Sequence, residues 1–419
     1  LAHQSIGSMS DCARYDERTN IPPSWRETVG MTIERDAVRR PHNRALAYLS
    51  ELAAPALRAF ARSYVPARAK PPAEWRQLVI LGASHIGDVL FRTPSLPILR
   101  RALPNCRIVY VCSPQTAQLL RTNPNVDEVL PLVVEGERWQ QHRTTLEALR
   151  DRACDAALCT DHIAYHADLV LALRARIPAR VGFVLKGFSG LVTHPVRANY
   201  PRPYAAYTRS MIAAVTGERE SWALRPQVWP TPGDEREALA AWRELDLDER
   251  RPVVACTLTV RQRGTAVWPA ERFVETLALV ARRTPIQVVL CGSAADAQYL
   301  GQAASAAPRG VDCRVLAGRL DLLAFASFLS RCDCLLATDS GPRHLANAVG
   351  TPVVFVRSLT ASQIEAGASC ETEADVAPNG EFLSFPAQER VLATLLPADV
   401  ALVVGRSLAS RRGAATSLA

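Results

Sequence analysis

The sequence predicts an α/β protein built from two doubly wound parallel layers in succession, preceded by an N-terminal extension. Three observations carry that expectation. Short apolar runs of strand length alternate with helical stretches from Gln77 to Val184, and again from Pro252 to Val356. Runs that are apolar throughout suit parallel strands covered on both faces. Between the two series lies Trp222–Gly233, which carries three prolines and makes the natural interdomain boundary.

The bulk properties agree with a large globular chain. Its 419 residues are enough for two or three domains. It is 48% hydrophobic and 21% charged, and no run approaches the roughly 18–20 apolar residues of a spanning helix. Leu1 to Asn20 show no basic and then apolar leader pattern, in a chain that opens on Leu rather than Met. The formal charge is +8, and lysine occurs only at Lys70 and Lys186, so arginine supplies almost all the basic residues. No dense basic block or basic stripe interleaved with aromatics exists, which argues against nucleic acid as a partner. Acidic small molecules or an anionic membrane surface remain open. The 11 cysteines include no CxxC pair, and most lie in or beside apolar strand-like runs. They are expected as small buried hydrophobes, with no metal site and no disulfide, in a reducing cytoplasm.

In chain order, residues 1–75 form the extension. They are polar up to about Pro41, then helical by the spacing of Leu46, Leu49, Ala53, Leu57, Phe60 and Tyr64. That helix is expected to dock on the next domain or to lie at a membrane surface. Val65 to Pro72 reads as a stiff linker. The first domain spans 76–222, with strands at Gln77–Ala83, Arg107–Ser113, Glu128–Val134, Asp155–Thr160 and Arg180–Val184. Its helices are expected at Asp88–Ala102, near Gln115–Arg121, around Trp139–Arg152 and at Tyr200–Gly217. A linker follows over 223–233. The second domain spans 234–410, with strands at Pro252–Leu258, Ile286–Gly292, Val311–Leu316, Cys332–Thr338 and Pro352–Val356. Its helices are expected at Glu271–Arg283, Ala294–Ala306, Asp321–Ser330, Pro342–Val349 and Ala398–Ala409. A short tail, 411–419, ends the chain. Two such domains joined by a proline-rich hinge are the plan of a GT-B glycosyltransferase, with a deep cleft between them. Some epimerases and periplasmic binding proteins share the plan.

Two strand-to-helix turns carry the chemistry. The first is Leu81-Gly82-Ala83-Ser84-His85-Ile86-Gly87-Asp88, at the carboxyl edge where open α/β sheets bind ligands. It has neither the lysine of a P-loop nor the glycine spacing of a dinucleotide loop. Asp88 is either a helix-capping carboxylate or a general base held in the cleft. The second turn is Thr338-Asp339-Ser340-Gly341-Pro342-Arg343-His344. There the N–H groups of Ser340, Gly341 and Arg343 are expected to bind a diphosphate at a helix N-terminus. Asp339 or Ser340 as a plain cap, and His344 as a packed residue, are the alternatives.

These residues carry a resemblance. Ser84-x-x-Gly87-Asp88-Val89, with Thr93-Pro94 and Leu99-Arg100-Arg101-Ala102-Leu103-Pro104, resembles the opening of glycosyltransferase family 9, the ADP-heptose:lipopolysaccharide heptosyltransferases. Asn123-Pro124-Asn125-Val126-Asp127-Glu128-Val129 resembles that family's next segment. Asp339-Ser340-Gly341-Pro342-x-His344-Leu345-Ala346, followed by Gly350-Thr351-Pro352-Val353-Val354, is similar to its donor-phosphate motif. The match covers roughly residues 77–405.

The resemblance implies a GT-B fold and an inverting, metal-independent transfer of a heptose or related sugar. ADP-heptose would be the donor, as co-substrate without a further cofactor, and a lipopolysaccharide core or similar glycan the acceptor. Asp88 would be the base. Asp339, Ser340, Gly341 and His344 would bind donor, together with Thr257 and Gly292 at strand ends. The family's loop lysine before its Trp-Pro is replaced here by Ala266-Val267, and Arg261 or Arg263 is expected to supply that cation. The family's Phe-Gly-Pro-Thr reads Val356-Arg357-Ser358-Leu359-Thr360. Ser84, Gly87, Lys186, His194 and Arg197 are expected on the acceptor side, with Arg176 and Arg180 near them. A cytoplasmic enzyme with peripheral contact to the inner membrane would follow. A catalytically silent nucleotide-sugar-binding protein, or a GT-B epimerase or hydrolase, are the competing readings.

Overall fold

The structure, a computed structural model, describes residues 49–82, 85–132, 143–160, 165–184, 188–196, 201–259, 265–308 and 310–416. The apolar runs become two parallel six-stranded sheets. The first holds β1 (Gln77–Leu81), β2 (Arg107–Cys112), β3 (Glu128–Pro131), β4 (Ala156–Cys159), β5 (Ala179–Phe183) and β6 (His194–Val196), ordered β3-β2-β1-β4-β5-β6. The second holds β7 (Val253–Thr257), β8 (Gln287–Gly292), β9 (Asp312–Ala317), β10 (Cys334–Thr338), β11 (Val353–Val356) and β12 (Glu373–Asp375), ordered β12-β11-β10-β7-β8-β9. Each sheet therefore reverses its winding beside its first strand, between β1 and β4 and between β7 and β10. Ligands of such sheets bind outside the carboxyl ends of the strands at that point.

Helices flank the sheets. Short one-turn helices at Pro114–Ala117 and Gln363–Ala366 aside, in the first half they are α1 (Ala54–Tyr64), α2 (Ile86–Arg92), α3 (Leu96–Ala102), α4 (Arg143–Asp151), α5 (Tyr165–Arg174) and α6 (Tyr204–Thr216). In the second half they are α7 (Pro232–Glu244), α8 (Ala270–Ala281), α9 (Ala297–Ser305), α10 (Leu322–Arg331), α11 (Gly341–Val349), α12 (Phe385–Leu392) and α13 (Pro397–Thr416).

Four differences from the sequence reading have physical causes. The helix expected over Asp88–Ala102 is split: a 3-10 turn at Thr93–Ser95 separates α2 from α3, because Pro94 and Pro97 have no N–H to donate. The linker drawn at 223–233 overlaps α7, which a Thr231–Asp234 capping box starts at Pro232. The last helix continues through Thr416, past the boundary set at 410, where Arg411, Arg412, Ala414 and Ala415 as good helix formers outweigh Gly413. The three-residue edge strands β6 and β12 escape a search for apolar runs; β12 reads Glu-Ala-Asp.

The described part of the extension, from residue 49 on, is built into the first domain. Ala61 and Val65 are buried with Val79, Leu81, Val109 and Leu149 on one face of the first sheet. Phe188 donates its N–H to Ser50 Oγ (3.0 Å), and Ser189 N–H donates to the Glu51 carboxylate (2.8 Å). The proline linker is tied down as well. Lys70 pairs with Asp155 at 2.7 Å, and buried Trp75 donates Nε1–H to the Lys70 carbonyl at 2.9 Å.

One apolar cluster spans both domains, from Leu119 and Leu120 to Trp242, Phe328 and Leu345. Polar ties cross the same boundary. Arg121 pairs with Asp321 at 2.5 Å and also with Asp234. Arg225 donates to the Asn347 carbonyl at 2.9 Å, and Gln227 N–H donates to Thr93 Oγ1 at 2.8 Å. The proline-rich connection is thus bonded to both domains.

Candidate active site

At the end of β1, Gly82 adopts φ +98°, a left-handed conformation that favours glycine. His85 then takes the N-cap position of α2 with no side-chain cap bond, and half-buried Asp88 sits in the first turn. The dipole of that turn favours a carboxylate. Beneath it, the switch point between β1 and β4 is stitched by a buried residue that sequence reading missed. Arg92 donates Nε–H to Thr160 Oγ1 (2.6 Å), and Thr160 donates its hydroxyl to the Leu81 carbonyl (2.6 Å). Arg92 also donates to the Asp88 carbonyl, one helical turn back. Its four-residue spacing from Asp88 was visible, but only the fold brings Thr160 to it.

In the second domain, β10 ends at Thr338 and Ser340 is the extended N-cap of α11. The Ser340 hydroxyl does not cap the helix; it lies 3.2 Å from Thr338 Oγ1. The leading N–H groups at Ser340 and Gly341 therefore have no side-chain cap from that residue, which is the arrangement that suits an anion. The Arg343 N–H does not belong with them: it donates to the Ser340 carbonyl at 3.1 Å, because the chain already tightens there.

Position 343, read only as a backbone donor, supplies the strongest electrostatic feature. The Arg343 side chain is 2% exposed and pairs with Asp339 (2.9 Å) and Glu373 (2.5 Å). It also donates to the carbonyls of Ala366 (2.8 Å) and Gly367 (2.7 Å), over the ring of Phe355. Glu373 takes further bonds from Asn347 (2.5 Å) and the Ser369 N–H (2.7 Å). Burial alone would raise its carboxyl, but Arg343 above all, with the Ser369 N–H, holds it down at about 2. Asp339 is thereby fixed beside Ser340. Glu373 comes from an edge strand some thirty residues on, so no local signal could reveal it.

His344 is buried, as the packed alternative held, and not open to solvent. Its ring meets Phe91 of α2 edge-on at 4.4 Å, and burial, with Arg343 next to it, lowers its pKa to about 3. Nδ1 has no hydrogen-bond partner. A Cβ on Gly87 would lie 2.9 Å from this ring, and one on Gly341 would lie 2.8 Å from Ile86. The turns of Asp88 and Ser340 thus meet across the domain boundary.

Thr257 closes β7 beside Ala337, buried, with its hydroxyl unpartnered. Gly292 closes β8, but a Cβ there would lie 2.8 Å from Leu300, so packing against α9 accounts for the glycine. His194 is not brought to Asp88. It opens the outer strand β6, with Nδ1 at Thr193 Oγ1 (2.9 Å) and its ring against Trp75. Arg180 is also structural: buried, it donates to the carbonyls of Leu191 and Ile177. Arg176 lies over Tyr64 of α1. Ser84, Lys186, Arg197, Arg261 and Arg263 lie outside the described residues. Among the described residues, no group of three or more His, Cys, Asp or Glu side chains forms a metal-binding cluster.

Comparison with known proteins identifies the family and the fold. The sequence profile of glycosyltransferase family 9 (heptosyltransferase) matches residues 143–363. Lipopolysaccharide heptosyltransferase 2 of Salmonella typhimurium is 24% identical over 287 residues, covering 66% of this chain and 81% of that protein. The glycosyltransferase family 9 structure from Veillonella parvula has a TM-score of 0.67 at 19% identity, over 80% of this chain and 98% of its own. The E. coli ADP-heptose lps heptosyltransferase II structure has a TM-score of 0.63 at 21% identity, over 80% and 99%. The fold is GT-B. With a family profile spanning more than half its length and the two facing turns in place, the chain belongs to glycosyltransferase family 9, the heptosyltransferases.

Proposed function

We propose that this glycosyltransferase moves a heptose from ADP-heptose to a lipopolysaccharide-core acceptor, with inversion and without a metal ion. The observation that carries the reading is the meeting of the two turns, Ile86–Asp88 against Gly341–His344. A diphosphate held at Ser340 and Gly341 brings the anomeric carbon of its sugar beside Asp88. The Asp88 carboxylate takes the proton of the acceptor hydroxyl as that oxygen attacks the anomeric carbon. The bond to the diphosphate breaks on the opposite face, which inverts the centre. Negative charge growing on the leaving ADP is met by the α11 N-terminus. The names of the relatives support ADP-heptose as donor and a lipopolysaccharide as acceptor.

The acceptor's lipid anchor would place the enzyme at the cytoplasmic face of the inner membrane. Exposed Leu52 and Phe60, near Arg58 and Arg62, would support a peripheral contact. No single helix among the described residues is long and apolar enough to cross a membrane. The test is incubation with ADP-heptose and a heptose-deficient core oligosaccharide in the presence of a chelator. ADP release matched by one added heptose in the mass spectrum is the expected result. No transfer, or transfer that stops on chelation, contradicts the reading.

A further inference from the structure

Helix α1 buries one side on the first sheet and turns a second apolar side outward. Ala54 and Ala61 are buried, whereas Leu49 is 61%, Leu52 81% and Phe60 56% exposed. Ala56 and Ala59 are exposed with them. The turn before α1 continues into it, with Ala53 N–H on the Leu49 carbonyl (3.0 Å) and Leu57 N–H on the Ala53 carbonyl (2.9 Å). Spacings of three and four therefore align Leu49, Leu52, Ala56, Ala59 and Phe60 in one outward stripe. The outer face of a surface helix is ordinarily its polar one. Here it is apolar.

The charges of this segment are of one sign. No acidic residue occurs between Glu51 and Glu74, where Arg58, Arg62, Arg68 and Lys70 fall. Lys70 is committed to Asp155, and no described residue pairs with the three arginines. Arg176 adds a cation over Tyr64, whose ring stacks on Phe60 at 5.8 Å. The helix also has a direction. Its start is tied to Phe188 and Ser189, just past the carboxyl end of β5: Ser50 Oγ accepts from one, and Glu51 from the N–H and hydroxyl of the other. The chain after α1 reaches the opposite edge, where Lys70 meets Asp155 ahead of β4. Leu49 and Leu52 therefore lie toward the carboxyl edge, the one that carries Asp88.

We infer that the outer face of α1 lies on an anionic bilayer with its start toward the Asp88 edge, so that a membrane-anchored acceptor enters the cleft from the bilayer side. Leu49, Leu52 and Phe60 enter the boundary between headgroups and acyl chains, and the arginines meet the headgroup charge. The inference rests on the lipid-anchored acceptor proposed above. It adds the element that docks, the lipid charge it needs and the orientation it imposes.

Co-sedimentation of the full chain with phosphatidylcholine vesicles, and with vesicles of equal parts phosphatidylcholine and phosphatidylglycerol, tests the surface. The wild type should bind the anionic vesicles more tightly. Leu52→Glu with Phe60→Glu should lower that affinity by about tenfold or more, since two inserted apolar groups are lost. Arg58→Gln with Arg62→Gln should lower it by roughly tenfold and leave neutral vesicles nearly unaffected. Transfer from ADP-heptose is then measured on a soluble core oligosaccharide and on the same core carried by lipopolysaccharide in anionic vesicles. The Leu52 and Phe60 variant should match the wild type on the first and fall behind on the second. A wild type that ignores both vesicles, or variants that bind them as it does, overturns the docking and leaves the transferase reading standing. So does a dimer in light scattering that the Leu52 and Phe60 variant abolishes, because the stripe then covers a second copy. Loss of vesicle binding without loss of transfer to the vesicle-borne acceptor overturns the orientation. A wild type that binds anionic vesicles but transfers to neither acceptor overturns the functional reading, and with it the acceptor route, though not the bilayer contact.

Discussion

A methyl group on Gly87 would stand 2.9 Å from Cδ2 of His344, in the other domain. The helix that carries Asp88 and the helix behind Ser340 are therefore in contact with no space for one more carbon. Gly87→Ala must push α2 and α11 apart, and overpacking of this kind costs about 1–3 kcal/mol. We expect a lower Tm and a turnover reduced more than donor binding, since Asp88 moves relative to the donor turn. Melting curves and kcat for G87A check this. Wild-type values for both would mean that the contact does not position the two turns.

Acid should weaken the same contact. The His344 pKa falls from 6.5 to about 3 on folding, so protonation favours the unfolded chain. Its contribution is whole above about 6.5 and is lost as pH falls toward 3. Glu373, lowered from 4.5 to about 2, acts in the same direction but only below 4.5. Between pH 6.5 and 4.5 the Tm of the wild type should therefore fall more steeply than that of His344→Gln. Parallel Tm profiles over that window would remove His344 as the cause.

Glu373→Gln leaves Arg343 buried with half its charge partners. Breaking a buried pair on one side costs roughly 3–5 kcal/mol. Urea unfolding should show a midpoint lowered accordingly, and the loss of order around Asp339 should weaken ADP binding. A variant as stable as the wild type would mean that Asp339 alone balances Arg343.

A chain beginning at Pro72 should still bind ADP, because the donor turn and its supports all lie beyond Val253. It should be less stable and less soluble than the full chain, since removing Ala61 and Val65 uncovers the Val79 and Leu81 face of the first sheet. Titration of the truncation with ADP, beside its Tm, checks both halves. A folded truncation without ADP affinity would show that the extension reaches the cleft.

The Asp88 turn and the Asp339–His344 block were legible in sequence because each is a local motif at a strand end. The eight interior strands were legible because burial on both faces makes them largely apolar, and the edge strands β3 and β9 because they keep short apolar runs. What could not be read came from elements distant in the chain. Glu373 lies on a polar edge strand, and its role depends on the Arg343 side chain of α11 being buried over Phe355. Arg92 acquires its role only when β4 delivers Thr160. His194 misled for the reverse reason: a charged neighbourhood in sequence was folded onto the outer strand against Trp75.

The most direct test of the account is single-turnover transfer from ADP-heptose by Asp88→Asn, compared with the wild type on one core acceptor. The account predicts transfer slowed by about 100-fold or more, the range of a positioned base, with the ADP dissociation constant within about twofold of the wild type. Transfer by D88N at the wild-type rate would contradict it.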